Sequence, residues 1–127
     1  MNIKELLLDV VHGKSEWSSL VEAGLDIHYV NGPRQRVWKF TSIPRTAIRI
    51  DSKDIATGIL SLKSSYNKLQ DWASFVLAAD SLFDFAKIED SSIGDTLIEA
   101  LWKLAYSKKH SKTIFQLAEK IQIGNRA

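Results

Sequence analysis

The stretch 25-LDIHYVNGPRQRVWKF-40 decides the fold. Leu25, Ile27 and Tyr29 alternate with Asp26 and His28, which is the period of a half-buried strand and not that of a helix. The Asn31-Gly32 turn signal follows, then a second β-branched and aromatic run at 36-RVWKF-40. Together they read as an antiparallel hairpin. Pro33 lacks the amide that a two-residue loop needs, so a longer connection is predicted. A short third strand is expected at 46-TAIRI-50, where Ile48 and Ile50 share one face and Pro44 discourages helix before it.

On both sides of this element apolar residues recur at helical spacing. Ile3, Leu6, Leu7, Val10 and Val11 form one stripe, with Asn2 and Glu5 placed as a capping box and Gly13 ending it. Ser15 is the expected cap of a second helix bearing Trp17, Leu20 and Val21, closed by Gly24. Further on, Asp51 or Ser52 caps a helix with Ile55, Ile59 and Leu62 on one side. Ser64 or Ser65 starts the next, with Tyr66, Leu69, Trp72, Ala73, Val76 and Leu77 in register. After Gly94-Asp95, the residues Leu97, Ile98, Leu101, Trp102, Leu104 and Ala105 make an arc wide enough to predict burial on more than one side. Trp72 and Trp102 are both expected inside. Ser111 opens a last helix with Ile114, Phe115, Leu117, Ala118 and Ile121, and Gly124 stops it. The expectation is an α+β fold, mainly α. It is a helical domain with a two- or three-stranded antiparallel β element near residues 25–50, and residues 1–127 form a single domain.

The bulk composition fits that picture. Apolar residues make up 45% and charged residues 25% of 127, so the chain has the means to bury a core and no compositional reason to be disordered. The absence of cysteine excludes disulfides and cysteine-based zinc sites. The start, 1-MNIKELLLDVVHGK-14, carries Glu5 and Asp9 and lacks the basic start and long apolar run of a signal peptide. No apolar run is long enough to span a bilayer. A cytoplasmic protein with no membrane partner is expected.

Chemistry is sparse. The tripeptide 13-GKS-15 resembles the end of a phosphate-binding loop, but the glycine needed five positions earlier is Leu8. His12, His28 and His110 lie in different elements, and only Asp26 with His28 shares a strand face. The run 90-DSSIGD-95 departs from a calcium loop in its glycine position and at Ser92. No nucleophile elbow or zinc-protease motif occurs. Hence no catalytic residue, cofactor or metal site is predicted, and an enzyme is disfavoured.

Charge is more informative, because it comes in blocks. Residues 31–63 carry seven Lys/Arg against two Asp, while residues 64–106 carry seven acids against three Lys, within a chain of net charge +2. In the basic block, Arg34, Arg36, Lys39, Arg45 and Arg49 accompany Tyr29, Trp38 and Phe40. A sheet presenting cations and aromatics together would grip single-stranded nucleic acid. Strand alternation opposes this, since Arg36 and Trp38 point one way and Val37 and Lys39 the other. Nucleic acid is therefore the weaker expectation. In the acidic block, 80-DSLFDFAKIED-90 directs Leu82, Phe83, Phe85 and Ile88 inward and leaves its acids outward. Asp80, Asp84, Glu89, Asp90 and Asp95 are the expected partner-binding residues, with Glu99 extending the strip. Capping and solubility account for such residues too. As a patch, they would attract a basic protein.

The segments 54-DIATGILSLKSS-65, 69-LQDWASFVLAADSLFDF-85 and 97-LIEALWKLA-105 resemble small helical bacterial proteins of the toxin-immunity type. The likeness spans residues 51–121 and rests on core-type residues joined by an acidic connection. It implies a non-enzymatic chain that binds and neutralises a cognate toxin, often a nuclease. It assigns no individual binding residue and no oligomeric state.

Overall fold

The computed structural model describes residues 3–31, 36–40, 47–79, 82–85, 88, 92–106 and 112–124. Six helices and four short strands lie among them. They are α1 (Ile3–Val11), α2 (Ser18–Glu22), β1 (Ile27–Asn31), β2 (Arg36–Phe40), β3 (Ile48–Arg49), α3 (Ser52–Ser61), α4 (Tyr66–Ala78), β4 (Phe83–Asp84), α5 (Gly94–Tyr106) and α6 (Lys112–Gly124). The architecture is α+β and mainly α, as the periodicities require. None of the described helices is long and apolar enough to cross a membrane.

The hairpin forms where alternation places it. β1 and β2 pair antiparallel from Ile27 opposite Phe40 to Asn31 opposite Arg36, and the turn residues 32–35, Pro33 among them, lie outside the described residues. Leu25 and Ile27 are buried while Asp26 and His28 are exposed. Tyr29 and Trp38 face each other across the strands with ring centroids 4.0 Å apart, and the edge of Trp17 caps both. Trp38 also meets Phe75 of α4 at 5.3 Å and donates its indole N–H to Ser74 Oγ at 3.2 Å. The inner face of the hairpin thus sits on Trp17, at the N-cap of α2, and on α4.

The third strand exists but joins a different partner. β3 pairs with β4 in parallel, Ile48 beside Phe83 and Arg49 beside Asp84, so it does not extend the antiparallel hairpin. The bonds run from Ile48 N–H to Leu82 O at 2.9 Å and from Ile50 N–H to Asp84 O at 3.2 Å. A parallel pair needs a long crossover, which α3 and α4 supply. Residues 82–84, between α4 and α5, are therefore tied down by strand pairing. Leu82, Phe83 and Ile88 are buried and Phe85 is half-buried, as the apolar pattern predicts.

Helix ends follow local chemistry, with corrections. Asp51 caps α3 in a full capping box: its side chain accepts from Asp54 N–H, and the Asp54 carboxylate accepts from Asp51 N–H, both at 3.0 Å. Ser65 stands at the N-cap of α4 without a side-chain bond. α2 starts after Trp17 and not at Ser15, and its Val21 is exposed. Gly13 ends α1 with a φ of 77°, a left-handed value that L side chains resist. The caps expected at Asn2 and Ser111 lie outside the described residues.

The helices pack as α4 on α5 and α3 on α6, with α1 touching α2, α3 and α4. Leu7, Val11, Ile55, Ile59, Leu69, Phe75, Leu97 and Leu101 are among the buried residues that fill the space between them. Burial of this kind contributes roughly 1.5–3 kcal/mol per large apolar side chain before chain entropy is set against it.

Candidate functional site

Two surfaces carry the charged residues that the sequence singles out. On the first, Asp84 is half-buried in β4 and lies against Arg49 of β3, Oδ2 to Nε 3.6 Å. That carboxylate and guanidinium face each other across paired residues, so each screens the other. Asp80, Glu89 and Asp90 lie outside the described residues. Asp95 belongs to the second surface, in the exposed first turn of α5, where negative charge is favoured by the helix dipole.

α5 departs from expectation in a way that bears on function. Leu97, Ala100, Leu101, Leu104 and Ala105 are buried on one side only. Trp102 is 52% exposed, so it is not a core residue. At 100° per residue it falls on the far side of the helix from that buried arc. Counting apolar residues concealed this, while the spacing shows it. Asp95, Glu99, Trp102 and Tyr106 follow one another at intervals of four, three and four, which sets them in one line, and all four are exposed. Trp102 and Tyr106 stack with centroids 5.4 Å apart and planes 22° from parallel. Glu99 also reaches Lys103 at 3.4 Å across one turn. The result is a helix face that is acidic at its N-terminal end and aromatic at its C-terminal end.

The basic sheet looks different. Tyr29, Trp38 and Phe40 turn their rings to Trp17 and Phe75, where stacking between protein rings replaces any stacking on bases. Tyr29 further donates its hydroxyl to Asp71 Oδ1 at 3.1 Å. Lys39 and Arg49 are exposed, and Arg49 is engaged by Asp84. Arg34 and Arg45 lie outside the described residues, and Arg36 is described only through its backbone pairing with Asn31.

Two of the remaining chemical motifs resolve into structure, while Asp90 and Ser91 of the run 90–95 lie outside the described residues. Gly13, Lys14 and Ser15 direct their amides to the carbonyls of Val10 and Asp9, closing α1, so these N–H groups are not aimed at a phosphate. Asp26 and His28 meet at 2.7 Å on the exposed side of β1. A second histidine contact, His12 Nε2 to Asp54 Oδ1 at 2.7 Å, joins the end of α1 to the first turn of α3. Nothing in local spacing announces a pair 42 residues apart. Asp54 already accepts the Asp51 amide, so its carboxylate braces two elements at once. Among the described residues no group of three or more His, Asp or Glu is placed to hold a metal ion. His110 lies outside them.

No protein-family model matches the chain, and no curated protein or solved structure matches it either.

Proposed function

We propose that the chain is a non-enzymatic protein-binding domain whose outer α5 face docks a basic partner. The observation that carries this is the exposed Trp102–Tyr106 stack in line with Asp95 and Glu99. Tryptophan and tyrosine are the residues that most often dominate binding energy at interfaces. Their ring faces attract Lys and Arg cations, and neighbouring carboxylates draw the same cations in. Electrostatic attraction steers the encounter and the ring pair holds the complex.

The specific form of this proposal is a toxin-neutralising protein, which the likeness of residues 51–121 to immunity-type helical proteins supports. Nucleic-acid binding through the sheet is the less favoured reading, because its aromatic rings are committed to Trp17 and Phe75. The experiment is stopped-flow association with the product of the adjacent gene, combined with a growth assay in cells expressing that product. Wild-type protein should restore growth. The D95K/E99K variant should associate more slowly, with a difference that fades as salt rises, and W102A should dissociate faster. A complex that forms at wild-type rates with both variants would remove α5 from the interface. A neighbour whose toxicity is unchanged by the wild-type chain would remove the neutralising role.

A further inference from the structure

The outer face of α5 is complementary to itself. Asp95, Glu99, Trp102 and Tyr106 are spaced like the seam along which two helices of a coiled coil meet, alternately four and three residues apart. The midpoint of that seam lies between Ala100 and Leu101, beside the middle residue of the 13-residue helix. Two copies of α5 turned end for end about this point therefore overlap along their whole length.

The rings on this face carry donors that the fold does not use. Trp38, Trp72 and Tyr29 donate inside the molecule, to Ser74 Oγ, the Val11 carbonyl and Asp71 Oδ1. Among the described residues no acceptor meets the Trp102 indole N–H or the Tyr106 hydroxyl, and the two side chains are 52% and 48% exposed.

A second copy supplies the acceptors. Antiparallel pairing about the midpoint sets Glu99 of each copy opposite Trp102 of the other, and Asp95 opposite Tyr106. Each carboxylate then faces an N–H or O–H donor and the electropositive edge of a ring. Parallel pairing would set Asp95 on Asp95 and Glu99 on Glu99, so like charges reject it. In the antiparallel arrangement Lys103, 3.4 Å from Glu99 of its own helix, offsets the Glu99 charges that the two-fold axis brings near each other.

We propose that the chain forms a two-fold symmetric dimer through antiparallel α5 helices, with Trp102 and Tyr106 of each copy packed on Glu99 and Asp95 of the other. Closed two-fold pairs are the commonest oligomers of soluble proteins. One helix face offers less than the roughly 800 Å² per partner of a standard interface, so the dimer is weak, with a dissociation constant on the order of 0.1 mM. A basic partner needs the same side chains, so dimer and partner complex exclude each other. The dimer stands on the geometry of α5 and not on that partner.

The test is sedimentation equilibrium of the intact chain from roughly 10 µM to 1 mM, across which the mass should rise from monomer to dimer. Trp102→Ala should stay monomeric with an unchanged melt. Tyr106→Phe keeps the ring, loses the hydroxyl and should weaken the dimer about fivefold. Register is read by mixing isotope-labelled wild type with unlabelled Thr96→Cys that carries a spin label. The chain has no cysteine, so the label is unique, and Thr96 is exposed beside the seam. Wild-type amides at residues 103–106 should broaden most. A monomer throughout the range would overturn the proposal and leave partner docking untouched, because docking is read separately from association rates. An undiminished dimer in either ring variant would also overturn it, as would broadening strongest at residues 94–98, the mark of a parallel pair.

Discussion

The indole N–H of Trp72 donates to the carbonyl of Val11 at 2.9 Å, joining the middle of α4 to the last residue of α1. Gly58 of α3 lies at the same crossing. A Cβ at that position would stand 2.2 Å from Val11 O and 2.4 Å from the Trp72 ring. Three helices meet there over a carbonyl that α1 itself leaves without an intrahelical donor.

That contact makes Gly58→Ala a test with opposed signs. Helix propensity alone favours alanine by about 0.8–1 kcal/mol. Overpacking at a closed crossing costs about 1–3 kcal/mol, and the atoms in the way are backbone and a locked ring. A net loss is expected in chemical denaturation. A gain would mean that α3 moves freely away from α1.

Trp72→Phe separates ring from donor. The ring still fills most of the space, but Val11 O loses its partner and remains buried. The expected loss is about 1–3 kcal/mol, more than a surface change and less than the roughly 3–5 kcal/mol expected for Trp72→Ala. Equal losses in the two variants would show that the hydrogen bond contributes nothing.

Trp102→Ala should behave oppositely. With its ring 52% exposed, truncation should alter stability by less than about 0.5 kcal/mol. Trp102 should also be the tryptophan most accessible to acrylamide, so its removal should lower the quenchable share of the fluorescence. A large fall in melting temperature would place it in a packed interior after all.

Asp84 and Asp95 should part company on charge reversal. Asp84→Lys replaces the partly exposed ion pair with Arg49 by two like charges, and such a pair contributes about 0.2–1 kcal/mol. The exchange R49D/D84R should recover that loss. Asp95→Lys should leave most of the stability intact while slowing association with a basic partner. Identical melts for the two single variants would dissolve the distinction between them.

Asp54→Ala removes the reciprocal half of the α3 capping box together with the contact to His12. Loss of a cap costs about 1 kcal/mol. His12→Ala alone should cost less, and in the Asp54→Ala background it should cost close to nothing. An additive double mutant, measured by denaturant midpoints, would show that the two residues do not interact.

These sites also mark where the sequence speaks and where it falls silent. The hairpin was legible because Leu25, Ile27 and Tyr29 carry a period that no helix shares. Asp51 and Asp54 were legible as a cap because the reciprocal bonds are local. Trp72 to Val11 spans 61 residues and His12 to Asp54 spans 42, and no short-range pattern encodes a meeting at that distance. Ile48 and Ile50 announce β3, but β4 is two residues long, too short to show a period, so the parallel pairing was hidden. For the binding surface, Trp102 was misassigned because an apolar residue count ignores angle. Its spacing from Asp95, Glu99 and Tyr106 held the answer.

The packing of α3 against α6 has a bearing on how the chain is made. Gln122 of α6 donates to Thr57 Oγ1 of α3 at 2.6 Å, and Lys63 lies 5.5 Å from the Phe115 ring centre. A ribosome delivers α3 some fifty residues before the helix that covers it, at about 5–20 residues per second. For those seconds the apolar side of α3 has no α6 to lie against. The rate of chain growth thereby sets how long an adhesive surface stands open.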